Sequence, residues 1–219
     1  MDLGKAYSSQ LETLRLLFEI KAKDLIADRL VRLNYIFEIA EGKWFENLQR
    51  LKGDRVKYLL LAEAPPWTED REVSYFYNTF RSQWVARIWH AFFPLERLTP
   101  NIDLGLKKLA NQGFLLVDTL PFSMKYSSLK RKTPIYRQLI RECLPFLFSR
   151  IENPEIEWAS EVRVALAFKL NGLAIIDALP KGLMLPNKQI IKLTADQIAS
   201  DGSGFTNSEK LRDIWQLES

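Results

Sequence analysis

The chain has 219 residues, a formal net charge of +4 and a sequence pI near 9.1, with 47% hydrophobic and 12% aromatic residues. That length and apolar content suit a single packed core, and no run approaches the ~20 apolar residues of a membrane-spanning helix. Cys143 is the only cysteine and His90 the only histidine, which excludes intrachain disulfides, cysteine metal clusters, multi-histidine zinc sites and any Ser-His-Asp triad built on another histidine. The start, Met1-Asp2-Leu3-Gly4-Lys5, has no apolar stretch after its charge, so no secretory signal is read there and a cytoplasmic location is expected. The mild basicity is compatible with a nucleic-acid partner.

Residues 10–47 place Leu11, Leu14, Leu17, Phe18, Leu25, Leu30, Leu33, Ile36 and Phe37 at helical spacing. This predicts one long or two consecutive amphipathic helices on the outside of a sheet. Gly53-Asp54 breaks the pattern, and 56–62 is the first strand. The run Leu59-Leu60-Leu61-Ala62 stops at Glu63-Ala64-Pro65-Pro66; prolines lack N–H donors and cannot extend a central strand. A loop follows over 65–78. Residues 82–93 form a helix with Trp84, Val85, Ile88, Trp89 and Phe92 on one side, ended by Pro94, and 101–111 form another, stopped by Gly113. The second strand, 114–118, ends at Asp118.

The loop 119–133 holds Ser123, Lys125, Tyr126, Ser127, Ser128, Lys130, Arg131 and Lys132. Thr133-Pro134 opens a helix to about 151, Thr as N-cap and Pro in the first turn. A third strand over 162–168, a short helix to 179, a fourth strand over 189–194, a Gly/Ser/Asp-rich loop over 199–206 and a last helix to 217, capped by Asn207 or Ser208, complete the chain. Strands alternating with helices predict an α/β fold, three-layer α/β/α around a four-stranded, mostly parallel sheet. One domain is expected, with the helices of 1–52 packed on a 53–219 core.

Glu63 and Asp118 each end a strand of one parallel sheet, so both belong to the carboxyl-end rim where ligands bind in such sheets. Trp67, Tyr75, Phe76 and Tyr77 crowd the loop after Glu63, and the basic, hydroxyl-rich loop follows Asp118. An extruded base needs a flat face to stack on and polar groups along its edge. Its flanking phosphates need cations and small donors. Taken singly, the aromatics also read as core and the lysines as a solvated face. Their combination points to a nucleic-acid base-processing site.

With these residues in place, the chain resembles the uracil-DNA glycosylase superfamily, most closely its thermophile-type, iron–sulfur branch. The first motif of that branch, a strand and Gly-Glu-Ala-Pro-Gly, is matched by Ala62-Glu63-Ala64-Pro65-Pro66. The family's next strand ends in Asn, followed by a loop, an Arg-x-Pro-like turn and a helix with Cys-x-x-x-Leu. Here these are Leu116-Val117-Asp118-Thr119-Leu120-Pro121, Arg131-Lys132-Thr133-Pro134 and Cys143-Leu144-Pro145-Phe146-Leu147. The resemblance runs from about Val56 onward. It implies a uracil-DNA-glycosylase-like fold with Glu63 as the carboxylate that holds water and steadies an oxocarbenium-like sugar. It also implies Phe76 as the base-stacking ring, with Tyr77 as its rival, and Asp118 on the base-reading edge. Ser123, Lys125, Lys130, Arg131 and Lys132 are the candidate phosphate contacts.

The departures are as informative. One cysteine cannot hold a cluster that needs four thiolates, so no iron–sulfur centre, no metal and no other cofactor is expected, and Cys143 reads as a buried thiol. The family's His-Pro-Ser is replaced by Leu193-Thr194-Ala195-Asp196-Gln197, where Asp196 is the candidate base-binding residue. His90, within a helix, reads as structural. An ionised Asp118 offers acceptors only, which suits the N4 amine of cytosine better than uracil. The expected activity is therefore that of a monomeric, monofunctional DNA glycosylase hydrolysing the N-glycosidic bond of a flipped-out, modified or damaged cytosine-like base, in foreign DNA or in base-excision repair. The alternatives are a catalytically impaired nucleic-acid-binding protein on the same fold and an α/β enzyme on a small phosphorylated metabolite. Gly202-Ser203-Gly204 lacks the Lys-Ser/Thr that the last would need.

Overall fold

The computed structural model describes residues 10–17, 23–69, 72–123, 129–200 and 206–217. In chain order it has helices α1 (Leu11–Leu17) and α2 (Lys23–Leu51), strand β1 (Val56–Ala62), helices α3 (Gln83–Phe92) and α4 (Ile102–Asn111), and strand β2 (Phe114–Asp118). After these come α5 (Pro134–Glu142), α6 (Leu144–Ile151), β3 (Trp158–Leu166), α7 (Lys169–Ala178), β4 (Leu183–Met184), β5 (Ile190–Ile191) and α8 (Ser208–Trp215). Single 3-10 turns cover Lys130–Lys132 and Ala195–Gln197.

The fold is α/β around a parallel three-stranded sheet of order β2-β1-β3. The central strand β1 is the leucine run, and Leu59, Leu60 and Leu61 are fully buried, as a strand covered on both faces requires. Its register sets Ala62 opposite Asp118 on one side and Leu61 opposite Leu166 on the other. Gly113 makes the entry to β2 possible. Its φ is +79, and a Cβ there would stand 2.4 Å from the carbonyl oxygen of Arg55. No helix among the described residues is long and apolar enough to cross a membrane.

The fourth strand expected over 189–194 is not in this sheet. Leu183–Met184 pairs with Ile190–Ile191 as a separate antiparallel hairpin. Side chains stand where its backbone was expected. The Val162 N–H donates to Gln189 Oε1 at 2.8 Å, and Gln189 Nε2 returns a bond to the Val162 carbonyl at 3.1 Å. Gln197 Nε2 reaches the Val164 carbonyl at 3.3 Å and Asn187 Nδ2 the Ala159 carbonyl at 2.6 Å. Backbone pairing returns only at Leu166, by a single parallel bridge to Ile198. Amide side chains thus satisfy the free edge of β3, which leaves it no row of open backbone groups to template another strand.

The β2 edge is closed in the same manner. The Leu116 N–H donates to the Tyr77 hydroxyl at 2.7 Å, and the Leu116 carbonyl accepts from Tyr77 Oη at 3.1 Å and Trp44 Nε1 at 3.2 Å. Trp44 comes from α2, so the N-terminal helical segment is tied directly to the sheet.

Two other expectations shift. The helix expected from 134 to 151 is two helices broken at Cys143 (φ −93, ψ 1), because Pro145 has no N–H for the Arg141 carbonyl and its ring clashes there. Strand β3 begins at Trp158 rather than 162. It opens on half-buried Trp158 and Ala159 followed by exposed Ser160 and Glu161, too mixed a stretch to read as an apolar run.

Tyr77→Phe removes a fully buried hydroxyl that both donates to and accepts from Leu116. It should cost about 1–3 kcal/mol in urea unfolding, with faster amide exchange at Leu116. Unchanged stability and exchange would show that the hydroxyl does not seal the edge.

Candidate functional site at the sheet rim

Glu63 and Asp118 are brought together at the carboxyl end of the sheet. Ala62 is the register partner of Asp118, and the main chain keeps pairing one step further. The Thr119 N–H donates to the Ala62 carbonyl at 3.0 Å and the Leu120 N–H to the Glu63 carbonyl at 2.9 Å. Both carboxylates are 8% exposed. Burial of a carboxylate is tolerated only with partners, and among the described residues Glu63 accepts three hydrogen bonds. Arg131 Nε donates to Glu63 Oε1 and Arg131 Nη2 to Oε2, each at 2.7 Å, and the Tyr136 hydroxyl donates to Oε1 at 2.8 Å. A carboxylate offers about four acceptor positions. Oε1 is fully used, and Oε2 keeps one lone pair for a water or hydroxyl.

A second layer holds these partners in place. The Thr119 hydroxyl lies 3.0 Å from the Ala62 carbonyl and 3.1 Å from that of Glu63. Asn171 Nδ2 donates to the Thr119 and Tyr136 hydroxyls, both at 3.1 Å. Each hydroxyl spends its own proton elsewhere, so the amide must face them with its NH2 group, and the hydrogen bonds fix its orientation. Asn171 Oδ1 is then buried without a partner among the described residues, as are Ser123 Oγ and Ser200 Oγ. Buried polar atoms are nearly always paired. In chain order these three follow β2, β3 and the bridge at Ile198.

Asp118 has a different environment. Burial pushes its carboxyl up to about 7 from the ordinary 3.8, assisted by the charge of Glu63 and opposed by hydrogen bonding to Tyr75 and by the Arg150 guanidinium. Arg150 is itself 8% exposed, ion-paired with Glu41 of α2 and seated 4.0 Å from the Trp44 ring centroid. Near neutral pH the Asp118 carboxyl is therefore divided between the charged form, which only accepts, and the neutral form, which donates and accepts as an amide does.

The remaining sequence candidates are distributed unevenly. Phe76 and Tyr77 are 3% and 2% exposed. Phe76 packs on Phe114 with centroids 5.8 Å apart; Phe114 begins β2, four residues or about 13 Å of strand away from Asp118. Tyr77 is committed to Leu116. These two rings act as core here, because the loop that carries them folds back along β2 rather than over the rim. The ring that does reach Asp118 is Tyr75, which the sequence pattern did not single out from its neighbours.

Asp196 is exposed and lies beside Val162 and Val164 on the flank of β3, with Asp213 and Gln216. It is not at the rim, because the turn Ala195–Gln197 precedes the bridge at Ile198. Ser123 is buried rather than presented to a phosphate. Arg131 is turned inward to Glu63. Lys130 is half-buried and Lys132 exposed, while Lys125 lies outside the described residues. Cys143 is a buried thiol whose pKa burial raises. His90 is in the last turn of α3. Among the described residues no group of three His, Cys, Asp or Glu side chains is placed to hold a metal ion.

Tyr136, Asn171, Thr119 and Arg150 were invisible as site residues. Each is an ordinary helix or loop position whose role comes from a contact with Glu63, Asp118 or their partners across 30 or more residues of chain in most cases. Comparison with protein-family models, with characterised proteins and with solved structures gave no match.

The state of Asp118 sets a pH dependence of stability. Its folded value lies above its unfolded value, so the folded chain holds a proton that the unfolded chain has released. The stabilisation is complete below about pH 4, declines as pH rises and is lost above about 7. Asp118→Asn should therefore gain about 2–3 kcal/mol relative to wild type on going from pH 5 to pH 8 in urea unfolding. A wild-type to variant difference that does not change with pH would contradict the burial account.

Proposed function

We propose that the chain is a monofunctional DNA glycosylase with a uracil-DNA-glycosylase-like arrangement, the 198–200 segment taking the place of the fourth strand. The observation that carries this reading is the pairing of Glu63 and Asp118, two buried carboxylates adjacent on the carboxyl-end rim of a parallel sheet and contacted by a basic turn. Glu63 Oε2 keeps one acceptor position, enough to hold a single water against an electron-poor sugar carbon. A fixed negative charge at that point stabilises an oxocarbenium-like state, in which positive charge appears only during the reaction.

Asp118, with Tyr75 on its carboxyl, reads the base edge. Phe168, half-buried two residues past β3 and stacked on Trp84 with ring centroids 5.6 Å apart, takes the stacking role in this reading in place of Phe76. The unpartnered Asn171 Oδ1 and the Ser123 and Ser200 hydroxyls supply further polar contacts once the rim opens to admit a base. Charged Asp118 accepts from the N4 amine of a cytosine-like base; the neutral acid also donates to a carbonyl as in uracil. The preference for a modified cytosine-like base over uracil should thus increase as pH rises through about 7.

The second reading, a nucleic-acid-binding protein without catalysis, is favoured by one specific observation, the use of three of the four Glu63 acceptor positions by Arg131 and Tyr136.

Duplexes carrying different modified bases, incubated with the protein and scored for alkali-labile abasic sites, separate the two. Excision that falls by about 100-fold or more in Glu63→Gln, with DNA affinity retained and the folded fraction checked by circular dichroism, supports the enzyme. Binding with no abasic sites on any duplex supports the second reading.

A further inference from the structure

The 3-10 turn Lys130–Lys132 divides its charges. Arg131 points inward to Glu63, while Lys132 points outward and lines a cavity of about 360 Å³ with Pro134, Arg137 and Arg141. Arg137 and Arg141 are four residues apart on α5, so they share one face of the helix. Lys132, Arg137 and Arg141 are all exposed. Lys132 and Arg137 have no carboxylate partner among the described residues. Arg141 Nη2 is bonded to Asp177 Oδ2 of α7 at 2.6 Å, with both side chains about half in solvent; its other N–H groups remain available. One carboxylate against three cations leaves a surplus of positive charge along the outer face of α5. The helix begins next to the turn that clamps Glu63, so the basic face leads directly to the rim.

We infer that this face of α5, built from Lys132, Arg137 and Arg141, is the track for the phosphodiester backbone of a nucleic acid whose base is presented to the rim. It rests on the nucleic-acid reading above, keeps Lys132 among the phosphate contacts and places Arg137 and Arg141 of α5 beside it in place of Ser123 and Arg131. Ser123 is buried and Arg131 is engaged with Glu63, whereas Lys132 and the two arginines face solvent together. Guanidinium groups suit the site because their planar fork can bond two phosphate oxygens at once. Asp177 restrains Arg141 in the unbound protein and competes with a phosphate for it.

The test is fluorescence anisotropy of a labelled duplex across a salt series, using the full chain. For wild type, the logarithm of affinity should fall linearly with the logarithm of salt. The triple variant Lys132→Gln, Arg137→Gln, Arg141→Gln should lower that slope by about two to three units, since each phosphate contact contributes roughly 0.9. Replacing the two arginines and Lys132 by the alternative cation, Arg→Lys and Lys→Arg, should restore most of the slope. Asp177→Asn, which frees Arg141, should tighten binding several-fold.

A triple variant with the wild-type slope overturns the inference. So does wild type that fails to bind duplex or single strand, or that binds anionic vesicles or polyglutamate equally well with the same salt dependence. A lowered slope without abasic sites on any duplex keeps this track and removes the glycosylase reading; base release with an unchanged slope does the reverse.

Discussion

The structure depends on what surrounds one carboxylate. Glu63 directly follows the central strand of the sheet, whose Leu59, Leu60 and Leu61 are fully buried, and placing its charge there would be prohibitive without compensation. Arg131 and Tyr136 supply that compensation, and both come from the segment after β2. Meeting the needs of Glu63 therefore also ties the turn at 130–132 and the start of α5 to the end of β1. Thr119 and Asn171 extend the hold to β2 and α7. These bonds join the ends of β1 and β2 to α5 and α7, so the polar groups of this part of the rim are positioned before any ligand arrives.

Asp118, one strand away, is the counterpart. It is buried to the same degree, no cation among the described residues bonds it directly, and burial pushes its carboxyl up to about 7. Two neighbouring carboxylates in contrasting surroundings are a recurring arrangement in acid–base and glycosidic chemistry. Here the surroundings differ in a short list of contacts: a bidentate arginine and the Tyr136 hydroxyl on Glu63, and on Asp118 a burial that raises its carboxyl against the hydrogen bond of Tyr75.

Much of this was legible in the sequence. The leucine run, the second strand with its terminal Asp118, the Thr133-Pro134 helix start and the Gly113 stop are local signals, and the structure places both carboxylates on one rim as the parallel arrangement required. What was not legible depends on contacts distant in sequence. Gln189 reads as the start of a strand, yet its amide replaces one by bonding Val162. Phe76 and Tyr77 look like a platform because they follow Glu63, yet the return of the loop along β2 buries them. Asp196 sits close in sequence to the bridge at Ile198 but below the rim in space. Arg131 reads as one of several phosphate-binding cations, and only its partner distinguishes it from Lys132.

The most direct test of the central claim, that the Glu63–Arg131 contact organises the rim, is a double-mutant cycle in stability with Glu63→Gln and Arg131→Met, and Tyr136→Phe as a parallel arm. Removing one partner of a buried pair is expected to cost about 3–5 kcal/mol. The double variant should lose far less than the sum of the singles, giving a coupling of at least about 2 kcal/mol. Costs that add to within about 0.5 kcal/mol would show that the two residues act independently and that the rim is held together by something else.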